Sequence, residues 1–150
     1  VRRNSTSLRR FSILGFALIA IALVALLRIN ALFSLQPWVI ALQVAAALLM
    51  VWARMTFGMR SFKPDAKPTA GGLVTSGPYR YIRHPIYAAI CMFVWAGVLA
   101  HLAPLTIFLG VLATVGVLVR LRCEETLLME RYPEYRDYST HAKRLLPGLW

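Results

Sequence analysis

Charge is what this sequence has least of. Only 15% of its 150 residues are charged, against ~25% in an ordinary soluble domain, and just 6 are acidic. Set against 17 Lys and Arg, that leaves a formal charge of +11. A basic balance on its own suggests nucleic acid or an anionic surface as partner. Here 59% of the residues are hydrophobic and the mean hydropathy is +0.61, which excludes a polar nucleic-acid-binding domain and a disordered basic tail. A soluble globule of this size has too little interior to hide so much apolar surface. Cysteine is scarce as well: Cys91 and Cys123 are too few for a disulfide scaffold and sit in no metal-ligand pattern. Gly71-Gly72 and Gly77 do not form a GxGxxG after a strand, so a Rossmann nucleotide site is unsupported, and no P-loop is present. There is no internal repeat and no low-complexity tract. What remains is a small integral membrane protein folding as a single unit, 1–150.

The uncharged runs locate the crossings. Phe11 to Phe33 is uncharged except for Arg28, and as a helix it reaches roughly 34 Å, enough for a ~30 Å hydrocarbon core. Arg2, Arg3, Arg9 and Arg10 ahead of it resemble the start of a signal peptide. The run is longer than a signal's apolar region and no clear small-x-small cleavage site precedes the charged Arg28, which favours a retained helix. A second run opens at Pro37, a residue suited to the first turn of a helix. The third uncharged run, Pro85 to Val119, makes roughly 50 Å as one helix and is too long for a single crossing. His101-Leu-Ala-Pro104 offers the break. The expectation is therefore an all-α integral membrane protein with four transmembrane helices, at about 11–33, 37–57, 85–101 and 104–121. The third and fourth form a helical hairpin, and a cytoplasmic amphipathic helical segment follows.

The basic residues sort by position. Four precede the first span; Arg54, Arg60, Lys63, Lys67, Arg80 and Arg83 lie between the second and third; Arg120, Arg122, Arg131, Arg136, Lys143 and Arg144 come at or after the end of the fourth. The opposite connections, Ser34–Gln36 and around Leu102–Ala103, carry none. The positive-inside rule then predicts both termini cytoplasmic. Arg28 alone falls outside the pattern, either snorkelling to the outer headgroups or lining an internal cavity. Any chemistry has to sit at the cytoplasmic face, in segments 70–87 and 120–147, because the outer loops are too short to hold a site. The stretch Lys63-Pro-Asp-Ala-Lys-Pro-Thr-Ala-Gly-Gly72 reads as irregular loop.

Two segments carry chemistry. In Gly77-Pro-Tyr-Arg-Tyr-Ile-Arg-His-Pro-Ile-Tyr87, Gly77-Pro78 favours a turn and Pro85 pushes His84 out of helical geometry. Basic and aromatic side chains gather there at a membrane entry point. The bland reading is an interfacial belt touching headgroups; the functional one is a cradle of free N–H groups and cations for a carboxylate or phosphate. Further on, Glu124 and Glu125 fall on the same side of a helix as Leu121 and Leu128. They either pair along the helix, Arg120 with Glu124 and Arg122 with Glu125, or aim a carboxylate into a cavity. His101 and His141 read as loop or surface residues, and Gly110 and Thr114 as small residues that pack helices within or between chains.

In order, Gly77-Pro-Tyr-Arg-Tyr-Ile-Arg-His-Pro-Ile-Tyr87, Glu124-Glu125 after a helical hairpin, Tyr135-x-x-Tyr138 and Arg144-Leu-Leu-Pro147 resemble the isoprenylcysteine carboxyl methyltransferase family, whose superfamily includes phospholipid methyltransferases. The resemblance covers roughly residues 70–147. It implies an integral membrane enzyme that uses S-adenosylmethionine without a Rossmann domain. It also implies that Tyr81, Arg83, His84, Pro85 and Tyr87 contact or shape the cofactor site, that Glu124 or Glu125 faces the cofactor's polar groups, and that Arg144 lies near the reacting centre, with Glu125 beside it in a catalytic role. The expected partners are the bilayer and a lipid or lipophilic small-molecule acceptor, not nucleic acid. Two alternatives compete: a sterol-reductase-like enzyme using NADPH, and a non-enzymatic lipid-binding protein whose basic face holds anionic lipid.

Overall fold

The computed structural model describes residues 2–58 and 72–146, with side chains from residue 7 onward. Arg60, Lys63 and Lys67, the expected irregular stretch 63–71, and Pro147 lie outside the described residues. The described chain is helical: α1 (Arg2–Arg28), α2 (Pro37–Phe57), a 3-10 turn (Gly77–Arg80), α3 (Pro85–Ala100), α4 (Pro104–Arg131) and α5 (Tyr135–His141). Extended pairing among the described residues is limited to one isolated parallel bridge between Ile82 and Lys143.

Three helical stretches, Ser7–Arg28, Pro37–Phe57 and Pro104–Arg131, are long and apolar enough to cross a membrane, and α3 is a shorter apolar helix. At 16 residues α3 is about 24 Å long, less than a full hydrocarbon core. Large apolar side chains face outward all along the set, among them Phe11, Phe16, Ile21, Leu48 and Phe108, each at least half exposed. Such surface is unstable in water and natural in lipid. The chain is a multi-pass membrane protein.

The expected break between the third and fourth runs falls at His101–Ala103. The His101 N–H closes α3 by donating to Gly97 O and Val98 O. The Ala103 N–H donates to Thr106 Oγ1 at 3.0 Å, satisfying one of the orphan donors at the start of α4. Two other boundaries differ from the sequence reading. The first helix stops at Arg28 rather than at 33, because Asn30 adopts φ +55° and the Ala31 N–H reaches back to Leu26 O at 2.9 Å. This is a Schellman-type stop, which Asn tolerates. The fourth helix does not end near 121; it continues unbroken to Arg131, and Pro133 then forbids further helix. Arg28 is exposed in the last turn of α1, so it lines no internal cavity, and its charge meets the negative end of the helix dipole.

Packing follows small residues. α1 lies antiparallel along α4, α2 along α3, and α3 against α4. At the first crossing Gly15 and Gly116 meet backbone to backbone: a methyl group added at Gly116 would lie 2.6 Å from Gly15 O. That contact brings Ile19 onto Val117 and Leu121, while Ala22 and Leu26 pack with Val94, Val98, Leu109 and Ala113. Gly110 seats the Val98 and Trp95 side chains, and Trp95 Nε1 donates to Thr114 Oγ1 at 3.0 Å. Both small residues therefore pack helices within the chain.

Gly116→Val is expected to lower stability by about 1–3 kcal/mol through overpacking of the α1–α4 crossing. Thermal unfolding in detergent checks it, with Val115→Leu at the neighbouring exposed position leaving the midpoint unchanged.

Candidate functional site

The site grows from three backbone features. Gly77, at φ +57°, starts the 3-10 turn against α2, where any added Cβ would strike the Thr56 side chain. Residues 81–84 then run non-helically into Pro85; His84 sits at φ −128°, ψ 60°, as the residue before a proline must avoid helix. Their backbone groups are therefore available, and the chain after α5 takes them. The Arg83 N–H donates to Lys143 O at 2.6 Å, the His84 N–H to Arg144 O at 3.1 Å, and the Lys143 N–H to Tyr81 O at 3.1 Å. Below this strap Tyr135 is buried and Tyr138 donates its hydroxyl to Tyr79 O, with the two rings edge to face at 5.8 Å.

On α4, Val117, Leu121 and Glu125 recur every four residues on one buried stripe. Glu125 occupies the third position of that apolar stripe and is 4% exposed. Burying a carboxylate is costly unless it is paired, and the pairing is dense. Arg83 Nη1 lies 2.8 Å from Glu125 Oε1, and Arg144 Nε donates to Oε2 at 3.2 Å and Oε1 at 3.3 Å. His84 Nε2 is 3.4 Å from Oε1, and its Nδ1 is 3.9 Å from Glu124 Oε2. Glu124, a third exposed at its side chain, forms the rim of the same cluster. The His84 ring stacks on Tyr87 at 5.6 Å and 27°.

Of the expected residues, the structure brings Arg83, His84, Tyr87, Glu124, Glu125 and Arg144 together and places Pro85 buried at the first turn of α3. Tyr81 stands apart: its side chain is 58% exposed and only its carbonyl joins the strap. Arg120, offered by helical spacing as one possible partner for Glu124, is buried and donates to Tyr87 Oη at 3.0 Å and to Ser12 O at 3.3 Å. Tyr79 and Tyr135 support the cluster from below, a role the sequence hinted at only through their spacing.

Several polar atoms in the cluster have unused capacity. Arg83 Nε, His84 Nε2 and the Tyr135 hydroxyl are buried without a hydrogen bond of good geometry. Burial pushes the Tyr135 phenol up to about 12, with the Glu125 charge adding to the effect, so it stays a donor at neutral pH. The cluster thus offers guanidinium, imidazole and phenol donors beside two carboxylates. That inventory can pair with both the acid and the ammonium of a zwitterionic small molecule. Among the described residues no group of three His, Cys, Asp or Glu side chains could hold a metal ion.

The profile of the phospholipid methyltransferase family matches residues 37–135, two helices before the glutamates through to Tyr135. The chain belongs to that family. It is 34% identical over 88 residues to a methanethiol S-methyltransferase of Pseudomonas deceptionensis, covering 56% of this chain and 32% of that protein. It is also 34% identical over 80 residues to the nickel-cobalt-cadmium resistance protein NccN of Alcaligenes xylosoxydans xylosoxydans, covering 51% of this chain and 37% of that one. The chain thus spans about a third of the length of these two relatives. No solved structure matches it.

Removing the central carboxylate leaves two guanidiniums facing each other in a poorly hydrated place. Glu125→Ala is therefore expected to destabilise the protein by roughly 3 kcal/mol, and Glu124→Ala at the rim by about 1 kcal/mol or less. Thermal unfolding of the two variants side by side measures the difference.

Proposed function

We propose that this chain carries out S-adenosylmethionine-dependent methyl transfer to a lipophilic or membrane-partitioning acceptor at the cytoplasmic membrane face. The observation that carries this reading is the buried, charge-balanced cluster around Glu125, with unspent donors, at the polar end of apolar helices in a chain of the phospholipid methyltransferase family. Four spans with both termini cytoplasmic accompany the proposal. They follow from the basic residues gathered at one end of the helices and from the short uncharged turns at the other.

When bound, the cofactor supplies an electrophilic methyl group on a sulfonium, whose positive charge disappears as the methyl is transferred. Arg83, His84 and Tyr135 hold the carboxylate of its amino-acid portion, using the donors that protein groups leave unused. Glu124 accepts from its ammonium or hydroxyl groups at the rim, and Glu125 keeps Arg83 and Arg144 in place. Tyr87 and Pro85 form the wall at the start of α3, and the backbone of Tyr81 anchors the strap. Arg144 stands between the cluster and solvent, 22% exposed, where it can orient an anionic or polar acceptor group. The main contribution of these residues is to align two reactants and exclude water. A carboxylate acceptor needs no base, whereas a thiol or ammonium must first lose a proton. The acceptor reaches the site from the bilayer, the cofactor from the cytosol.

Labelled S-adenosylmethionine is expected to bind saturably to purified protein, and His84→Ala or Glu125→Ala to abolish that binding; no saturable binding refutes the reading. With acceptors screened as prenylcysteine, aminophospholipid and small thiol, products read by mass spectrometry, Arg144→Ala is expected to reduce turnover more than cofactor binding. A nicotinamide-fluorescence titration separates the reductase alternative. The topology is checked by single-cysteine labelling in a background without Cys91 and Cys123: cysteines placed at Ser34 and Leu102 react from the outside, and one at Arg136 only after permeabilisation.

A further inference from the structure

Arg120 lies outside the Glu125 cluster, on the face of α4 turned toward α1, and is only 8% exposed. A long cation in so dry a position is costly unless donors and partners match. Its surroundings are shaped for it. Gly15 on α1 leaves room for its stem, since a Cβ there would lie 2.9 Å from Arg120 Cγ. One guanidinium N–H donates to Ser12 O on α1, and the group lies 5.5 Å from the Phe16 ring centre and 5.8 Å from that of Tyr87. Its Nε donates to Tyr87 Oη at 3.0 Å. Tyr87 stacks on His84, and His84 lies against both Glu124 and Glu125. A continuous set of contacts therefore runs from α1, through Arg120 and Tyr87, to the imidazole.

We infer that Arg120 is a positioning residue: anchored on α1, it holds the Tyr87 ring and through it fixes His84 between the two glutamates. The inference rests on the methyltransferase reading only for its link to cofactor binding; the placement of His84 is independent of it. Through Arg120, α1 acts on the site without touching the reactants.

The test uses the intact protein and the variants Arg120→Gln, Tyr87→Phe, their double combination, and Thr114→Val as a control that breaks a hydrogen bond between α3 and α4 away from the site. Two quantities are read: the dissociation constant for S-adenosylmethionine, and the His84 ring resonances of ligand-free protein carrying isotope-labelled histidine, assigned with His84→Gln. Each single variant is expected to weaken binding roughly tenfold, the scale of one buried hydrogen bond to a charged group. The double variant is expected to be no worse than Tyr87→Phe alone, because loss of the Tyr87 hydroxyl already removes its link to Arg120. In both singles the His84 signals broaden or split, while the control matches wild type. Wild-type His84 signals and binding in Tyr87→Phe, or effects that multiply in the double variant, overturn the inference. If Arg120→Gln does not fold, Tyr87→Phe decides alone by the same criterion. If wild-type protein binds no cofactor, the methyltransferase reading fails while the His84 signals still judge Arg120.

Discussion

A carboxylate held between two guanidiniums, close to the membrane and away from water, is the interaction on which the polar end of this protein depends. Glu125 belongs to α4, Arg83 to the non-helical entry of α3, and Arg144 to the strap after α5. No two of these segments are neighbours in sequence. Their meeting is what gives a set of apolar helices a buried polar cluster at one end. Apolar packing cannot supply that specificity at a membrane surface, where lipid competes equally well for aliphatic side chains. The backbone pairing between residues 81–84 and 143–144 then follows at little extra cost, because the side chains have already brought the two strands together.

The same economy governs the apolar part. Gly15 against Gly116 sets how closely α1 approaches α4, and Gly110 sets how closely α4 approaches α3. Close approach matters more than side-chain bulk here, since dispersion and backbone proximity drive helix association in lipid. One consequence ties the two halves together. The Gly15 contact that permits the tight crossing is the contact that admits the Arg120 stem, so helix spacing and placement of a buried cation are one structural decision.

Local features of the sequence were legible because local physics fixes them. Proline at 37, 85 and 104 marks helix starts, and the uncharged run too long for one crossing breaks where His101 and Pro104 said it should. Glu125 on an apolar stripe was visible from its spacing with Leu121. Which of two adjacent glutamates lies at the centre was not, since both fall within one turn and only the arrival of Arg83 and Arg144 separates them. The pairing of 143–144 with 81–84 spans about sixty residues, and no periodicity encodes it. The early stop of α1 turns on Asn30 entering the left-handed region inside an otherwise apolar run, a choice set by the turn that follows. The contacts of Arg120 with α1 and α3 were not legible either: helical spacing offers partners on its own helix, and the register that brings Ser12 and Tyr87 to it is set by tertiary packing.

The unbroken course of α4 has a geometric consequence. Its 28 residues make a rod of about 42 Å, longer than a hydrocarbon core. One end is apolar and the other carries Glu124 and Glu125. Because no hinge separates them, the height of the glutamates relative to the lipid is set by how the apolar end settles into the bilayer. A thicker membrane draws the glutamates toward the headgroups and a thinner one lifts them away. The bilayer is thus a ruler against which the position of the charged cluster is measured.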